Sequence, residues 1–174
     1  LFRSASAASM SASAGAPAAV RVGAPVGAYN DPYFALQRGL ARMGVEAAQR
    51  LTQGAGVRVA VIDTLVDAAH PDLDSRVVAQ RDFARGAAPS TAERHGTEVA
   101  GVIAAAANNG IGIVGVAPQA RILSYRACWA LPAPARGARC DTFSLAQALA
   151  QALADRADII NLSLGGPADP LLQS

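Results

Sequence analysis

The chain has 174 residues, of which 52% are hydrophobic and 16% are charged, and its formal net charge is +2 at pH 7. This composition is typical of a globular domain with a buried core and argues against a disordered chain. The basic residues are arginines scattered along the sequence, so no nucleic-acid partner is expected. No apolar run reaches the roughly 18 residues of a membrane-spanning helix, so no membrane span is expected.

Residues 1–28 differ from the rest of the chain in composition. They are dominated by Ala, Ser, Gly and Pro and show no sustained period of 2 or 3.6 residues. Such a segment buries too little apolar area to offset its ordering entropy, so we expect a linker or leader here. The chain begins with Leu1, and we expect the natural start to lie upstream. Residues 29–174 are expected to form the ordered domain.

The ordered part begins with a helical pattern followed by a strand pattern. Residues 57–62 are a short run of mostly apolar, β-branched residues, which is typical of a strand buried on both faces. The preceding helix is predicted from apolar residues spaced four, three and four apart, namely Leu36, Leu40, Met43 and Ala47.

Helices and strands then alternate to the end of the chain. A helix is predicted over residues 95–107, a strand over residues 121–126 and a last strand over residues 158–162. Alternation of this kind predicts an α/β fold, a parallel β-sheet with helices on both faces. The helix before the last strand is expected to be capped by Asp141, Thr142 or Ser144 and to bury one face formed by Leu145, Leu149 and Leu153.

Three segments carry residues suited to chemistry. Asp63 follows the first buried strand, where a carboxylate can orient an imidazole, or else it caps a turn. His95 opens a helix and is followed by Gly96, which suits a general base that another chain approaches, or else it is an exposed cap. Residues 163–165 belong to a segment in which the last strand ends in paired glycines, at positions 165 and 166. The backbone of this segment is suited to pairing with an extended peptide, unless the segment simply turns.

Together these segments resemble the subtilisin-like (subtilase) family of serine proteases. The Asp motif at Asp63, His-Gly-Thr-Glu-Val-Ala-Gly from His95 and Ser-Leu-Gly-Gly from residue 163 occur in the family's order. The resemblance runs from about Asn30 to the end of the chain and implies a serine endopeptidase with polypeptide substrates. It implies that Asp63 and His95 are two members of a catalytic triad and that the substrate-binding strand includes Ser163, Leu164 and Gly165.

The third member of the triad is not recognisable in this chain. No serine of the ordered region follows Gly-Thr, the family's context for its nucleophile. We therefore expect the chain to be the N-terminal part of a catalytic domain, with an incomplete sheet and no activity alone, and the nucleophilic Ser to lie downstream. The alternative is a non-catalytic relative that keeps the fold and binds peptides.

The resemblance also implies a calcium site, although no cofactor is expected for catalysis. Residues 108–113 resemble the family's calcium-binding loop, and Asp72 stands in a His-Pro-Asp-Leu sequence. Carboxylate, amide and carbonyl oxygens are the ligands that calcium prefers. The implied ligands are Asp72, the side chain of Asn109 and the carbonyls of Ala107, Ile111 and Ile113.

The only two cysteines, Cys128 and Cys140, stand 12 positions apart. They are too few for a disulfide scaffold or a four-cysteine zinc site, and either one bridge or two free thiols is compatible with the spacing. Most members of the resembling family are exported, which implies the bridge and a secreted or periplasmic protein.

Three positions call for separate interpretation. Leu65 stands where the family usually has Gly and would be strained by about 1–2 kcal/mol if positive φ were needed. Glu98 replaces a common second His, with no expected effect on the triad. Residues 110–115 match the G-x-G-x-x-G dinucleotide fingerprint, but they lack the strand before and the helix after that it requires, so no nucleotide is expected.

Overall fold

The structure is a computed structural model that describes residues 29–85, 88–90, 93–131 and 137–166. The predicted linker over residues 1–28 lies outside the described residues. Within the described ranges, no helix is long and apolar enough to cross a membrane. The helices are α1 (Arg38–Arg42), α2 (Val45–Gln49), α3 (His95–Ala104) and α4 (Thr142–Ala154). The strands are β1 (Arg58–Asp63), β2 (Val77–Asp82), β3 (Arg121–Arg126), β4 (Cys128–Ala130), β5 (Ala138–Cys140) and β6 (Ile159–Asn161).

Four of these strands form one sheet in the order β2-β3-β1-β6, and every pair in it is parallel. The predicted parallel sheet is therefore confirmed. β1 lies inside the sheet and is buried at five of its six positions, as its apolar run predicts. Because the strands are parallel, their carboxyl ends meet at one edge, where Asp63 lies opposite Arg126 of β3.

Helices cover both faces of the sheet, as predicted. Side chains alternate along each strand, so odd and even positions of β1 face opposite sides. One side, the α3 face, is a buried cluster of β1, β3 and α3 residues that includes Val59, Val61, Ala100, Ala104 and Ile122. The other side, the α4 face, is a cluster of β1, β3 and α4 residues that includes Ala60, Ile62, Leu123, Tyr125, Ala148 and Ala152.

The predicted N-terminal helix is wrong as a single element. A 3₁₀ turn at Phe34–Leu36 and the short helices α1 and α2 take its place. Gly44 has φ 67°, which interrupts the helical hydrogen-bond ladder between α1 and α2. Of the four residues expected on one apolar face, Leu40 is buried, whereas Leu36 and Met43 are 74% and 67% exposed.

The face that α4 buries also differs from the prediction. Its innermost residues are Ser144, Ala148 and Ala152. Leu145 and Leu149 pack at the margin of that stripe, and Leu153 is 72% exposed. Small residues at the centre let the helix approach the sheet closely, and the leucines lie to the side. Among the expected caps, Asp141 is the one used, since its carboxylate accepts a hydrogen bond from the Ser144 N–H at 2.9 Å.

Other boundaries differ in smaller ways. α3 ends at Ala104, three residues before the predicted end, because Ala105 has an extended backbone. The edge strand β2 and the hairpin of β4 and β5 were not predicted. β2 is mostly exposed and its second half, residues 80–82, is polar, so it lacks the longer apolar run that identifies a buried strand.

Candidate active site

Asp63 and His95 lie side by side at the carboxyl edge of the sheet. His95 Nδ1 is 2.8 Å from one carboxylate oxygen of Asp63 and 2.9 Å from the other. The predicted proximity of these side chains, which are 32 positions apart, is confirmed. An ionised carboxylate can only accept, so Nδ1 carries a proton; in the neutral ring Nε2 then keeps its lone pair. That tautomer is the one in which an imidazole acts as a general base.

The two members of the pair differ in exposure. The Asp63 side chain is only 1% exposed, whereas the His95 side chain is 50% exposed. Asp63 ends β1, and one of its carboxylate oxygens also accepts a hydrogen bond from the Thr64 N–H at 2.6 Å. The buried carboxylate is therefore held in place while the ring of His95 remains accessible to a reacting group.

Gly96 explains how the start of α3 reaches the end of β1. A Cβ atom at this position would lie 2.3 Å from the carbonyl oxygen of Thr64, so any side chain here would force the backbone to shift. The Gly96 N–H also donates to Thr64 Oγ1 at 2.9 Å. Close approach, which the glycine after His95 suggested, therefore occurs between the protein's own segments, and it seats His95 beside Asp63.

A buried ion pair next to this site was not predicted. The side chains of Glu93 and Arg126 are each 1% exposed, and Arg126 donates from Nε and Nη2 to the two carboxylate oxygens of Glu93 at 2.8 Å and 2.6 Å. Burial acts to raise the pKa of Glu93, but the hydrogen bonds from Arg126 and the Leu65 N–H outweigh it, and the pKa lies below its usual value. The hydrogen bonds to Glu93 raise the pKa of Arg126.

Leu65 takes part in the same arrangement. Its N–H donates to Glu93 Oε2 at 2.8 Å. Among the described non-glycine residues, positive φ occurs at Ser75, Asn108 and Arg156, so Leu65 does not carry the backbone strain considered for it. Glu98, the other departure from the family pattern, is an exposed residue of α3. It lines an open cavity of about 890 Å³ whose walls include neither Asp63 nor His95, so we assign that cavity no role at this site.

The predicted substrate-binding segment leaves the sheet at the same edge. β6 pairs with β1, with Asn161 opposite Val61, so residues 162–166 extend from the sheet beside the end of β1. The Ser163 hydroxyl donates to Asn161 Oδ1 at 2.9 Å, and Ser163 and Gly165 are exposed. Within the described part of the chain, no hydrogen bond engages the backbone of residues 163–165.

The predicted calcium ligands are gathered around one loop. Asp72 is buried, and its carboxylate oxygens accept hydrogen bonds from Asn109 Nδ2 and the Ile113 N–H, both at 2.9 Å. Asn109 directs its side-chain oxygen to the Ile111 N–H at 3.0 Å. The amide of Asn109 would therefore have to rotate before its oxygen could join Asp72 on a cation.

Asp31 is a further carboxylate at this loop that was not predicted. It is 4% exposed, and one of its oxygens accepts a hydrogen bond from the Asn108 N–H at 2.8 Å. The other oxygen is buried and has no hydrogen-bond partner among the described residues. An orphaned anionic oxygen next to oxygen-rich backbone fits a cation. The sequence offered no local signal, because Asp31 lies 77 positions from its loop partner.

The two cysteines are joined. A disulfide links Cys128 and Cys140, whose Cα atoms are 4.2 Å apart. These residues are directly opposite each other in the antiparallel pair of β4 and β5. The predicted pairing is confirmed, and the bridge closes a hairpin that begins two residues after Arg126.

Comparisons with known proteins show what the chain is similar to. The sequence profile of the Subtilase family matches residues 54–173. The chain is 42% identical over 139 residues to the thermophilic serine proteinase of Bacillus sp. (strain AK1), covering 78% of this chain and 33% of that protein. It is 38% identical over 139 residues to the intracellular serine protease of Paenibacillus polymyxa, covering 77% of this chain and 40% of that protein.

A solved structure shares the fold. A protease from Pseudoalteromonas arctica superposes with a TM-score of 0.69 at 26% identity, over 83% of this chain and 53% of that chain. The chain thus spans between about a third and a half of the length of these three proteins.

Proposed function

Because the chain belongs to the subtilase family, we propose that it is part of a serine endopeptidase and supplies two members of the catalytic triad. Asp63 is the triad Asp and His95 is the triad His. The observation that carries this proposal is the contact of His95 Nδ1 with both oxygens of a buried carboxylate. The substrates are polypeptides, in keeping with the relatives that are named proteinases or proteases.

In this mechanism the imidazole acts as general base and then as general acid. His95 Nε2 takes the proton of a serine hydroxyl as the oxygen attacks the scissile carbonyl, and it returns that proton to the leaving amine. Water then hydrolyses the acyl-enzyme by the same proton transfers. Asp63 holds the ring and stabilises the imidazolium that forms at each step.

The nucleophile of this mechanism lies outside these 174 residues. The serines of residues 29–174 have no Gly-Thr before them: Ser75, Ser90, Ser124, Ser144, Ser163 and Ser174. Ser144 is used elsewhere, since its hydroxyl donates to the carbonyl of Phe83 at 2.7 Å. The chain alone is therefore expected to hydrolyse no peptide.

The substrate would pair with residues 163–165. Their backbone groups are free of hydrogen bonds within the described part of the chain, and they leave the sheet at the edge where Asp63 lies. An extended peptide can add to such a segment as a further strand. This pairing would place Ser163, Leu164 and Gly165 along the side of the substrate that precedes the scissile bond.

A structural calcium ion is proposed at the loop of residues 107–113. Asp72 and Asn109, together with the carbonyls of Ala107, Ile111 and Ile113, would hold it. Asp31, whose orphaned oxygen lies at the same loop, would add a second carboxylate. The ion would raise the stability of the fold and would take no part in the chemical steps.

Export of the protein is also proposed. A disulfide persists in oxidising compartments and is rare in the cytosol, so the bridge between Cys128 and Cys140 favours a secreted or periplasmic protein. One relative carries the name intracellular serine protease, so membership of the family does not by itself decide the compartment. Titration of free thiols in the denatured, unreduced protein tests the bridge; two reactive thiols would count against both bridge and export.

The full-length protein is needed to test the main proposal. We expect it to hydrolyse a fluorogenic peptide and to be inactivated by a serine-directed phosphonate, because the imidazole activates a serine. His95→Ala should abolish both reactions. His70→Gln, which changes the chain's only other histidine, is the matched control and should leave them intact. Binding of peptide without turnover in the unaltered protein would instead favour the non-catalytic alternative.

A further inference from the structure

The pair formed by Glu93 and Arg126 lies next to the catalytic candidates, at the carboxyl edge of the sheet. Arg126 is the last residue of β3 and stands opposite Asp63 in the register of the two strands. Glu93 precedes His95 by two positions. The ion pair therefore joins the strand next to Asp63 with the segment that leads into His95.

Two hydrogen bonds tie that segment to the end of β1, one on each side of His95. Before it, Glu93 Oε2 accepts from the Leu65 N–H at 2.8 Å. After it, the Gly96 N–H donates to Thr64 Oγ1 at 2.9 Å. The backbone that carries the imidazole is thus held at both ends against the two residues that follow Asp63.

The carboxylate of Glu93 is held in one orientation. Oε2 accepts from Arg126 Nε as well as from the Leu65 N–H, and Oε1 accepts from Arg126 Nη2. Arg126 is itself fixed from the other side, because Nη1 donates to both carboxylate oxygens of Asp82 at 2.9 Å and 3.0 Å. The guanidinium therefore links β2, β3 and the segment before α3.

Net stability is a weak explanation for such a pair. Removing two charges from water costs several kcal/mol, and buried ion pairs are often no more stable than apolar side chains of the same size. A planar guanidinium with paired donors does, however, fix its partner in direction as well as distance. The arrangement thus constrains geometry at the place where the imidazole must meet Asp63.

We propose that Glu93 and Arg126 are positioning residues, which hold His95 in the orientation that lets Asp63 engage its Nδ1. The inference rests on the proposed function, because it assigns the pair a part in that chemistry. Neither residue touches the reacting atoms. Their effect reaches the imidazole through the Leu65 N–H on one side and the short backbone from Glu93 to His95 on the other.

The test replaces the pair by apolar side chains in the full-length protein. The double substitution Glu93→Leu with Arg126→Met leaves no unpaired charge in the buried position, so the fold should survive. It removes the acceptor of the Leu65 N–H and frees the segment before His95. We expect kcat to fall about 10- to 100-fold with KM changed less than about threefold, as for a misplaced catalytic group.

A spectroscopic readout separates positioning from stability. The proton on His95 Nδ1, shared with Asp63, should give a low-field ¹H NMR resonance in the unaltered protein, and this resonance should shift or broaden in the double variant. Asp155→Asn is the matched control, because Asp155 accepts from the Tyr125 hydroxyl at 2.7 Å on the α4 face. The control should lower stability and leave both the resonance and kcat unchanged.

Each outcome decides between the alternatives. Unchanged kcat and an unchanged resonance in the folded double variant would overturn the inference. If the double variant does not fold, Glu93→Gln takes its place, with a smaller loss of kcat expected because the amide oxygen can still accept from the Leu65 N–H. An inactive unaltered protein would count against the proposed function, and the resonance would still decide whether the pair positions His95.

Discussion

The two faces of the sheet differ in what their strands place at the carboxyl edge. On the α3 face, β1 and β3 end in Asp63 and Arg126, with Ser124 buried one position further back on that side. On the α4 face, the corresponding residues are Ile62 and Tyr125, both fully buried. The alternation of side chains along two adjacent strands therefore separates a polar edge from an apolar one.

This difference shows how a single sheet between two layers of helices can hold charged groups and still keep an apolar core. The charged groups of the α3 face are concentrated at the end of the sheet, where each has a hydrogen-bond partner. Behind them, Val59, Val61 and Ile122 pack against α3. On the α4 face, Tyr125 packs edge-on against Phe83 and directs its hydroxyl to Asp155. Catalysis should therefore depend on the α3 face, whereas both faces should contribute to stability.

The largest expected effect follows from a change at the polar edge. In the full-length protein, Asp63→Asn should lower kcat by about 10⁴-fold, because the amide favours the wrong tautomer of His95. The matched change on the α4 face is Tyr125→Phe, which removes one hydrogen bond and should lower the free energy of unfolding by about 0.5–1.5 kcal/mol with kcat unchanged. Steady-state kinetics and urea unfolding measure the two quantities. Equal losses of kcat would remove the distinction between the faces.

Shortening an apolar side chain in the buried cluster of either face should lower stability by a similar amount. Ile62→Ala on the α4 face and Ile122→Ala on the α3 face each shorten a fully buried side chain and leave a cavity. Each should lower the free energy of unfolding by about 2–5 kcal/mol, the range for large-to-small changes in a core. Urea unfolding of both variants is the measurement. A loss below about 1 kcal/mol at one position alone would show that its cluster relaxes around the change.

A pair of glycines in α3 tests the close approach between this helix and β1. Gly96→Ala should lower the free energy of unfolding by about 1–3 kcal/mol, since the added methyl group meets the Thr64 carbonyl oxygen. Gly101→Ala is the control: the nearest atom to its new Cβ belongs to Ile113, at 3.8 Å. Thermal unfolding should show that this control is as stable as the unaltered protein or more so, because Ala favours a helix. Equal behaviour of the two variants would contradict the close contact.

The smallest expected effect is a dependence of stability on pH. The folded state lowers the pKa of Glu93 despite its burial, so this group stabilises the protein fully above its unfolded pKa of about 4.3. The contribution is lost as the pH falls through the folded pKa. On the α4 face, the hydrogen bond from Tyr125 likewise helps to lower the pKa of Asp155. The contributions of both faces to the free energy of unfolding should therefore decrease in acid.

The variant Glu93→Gln isolates the part of the pH dependence of stability that arises on the α3 face. The free energy of unfolding, measured from pH 7 to pH 3, should fall less steeply in this variant than in the unaltered protein. The two curves should converge at the acid end, where Glu93 is protonated. Parallel curves over the whole range would show that Glu93 has the same pKa in the folded and unfolded states.

Local patterns in the sequence were enough to predict the centre of the fold. The apolar run at residues 57–62 predicted a strand buried on both faces, and it is the inner strand β1. The periodicity over residues 36–47 did not predict its helix correctly, because the left-handed residue Gly44 divides it. The strand β2 was missed for the opposite reason, since an exposed edge strand needs no apolar pattern.

The candidate site divides in the same way. Asp63, His95 and the cysteine pair could be predicted because each stands in a recognisable motif or is one of few residues of its type. The residues that support them could not. Glu93 and Arg126 are 33 positions apart, and Asp31 is 77 positions from Asn108. Nothing local distinguishes these acids from exposed ones.

The physical reason is that the environment of a charge depends on long-range contacts. Burial raises the free energy of an ionised group, and only a partner brought close by the fold offsets that cost. Strand formation and motif recognition depend on neighbours along the chain, so the sequence by itself determined the buried strand and the candidates for the reacting groups. The tertiary structure alone decided which charges lie behind them and how His95 is held against Asp63.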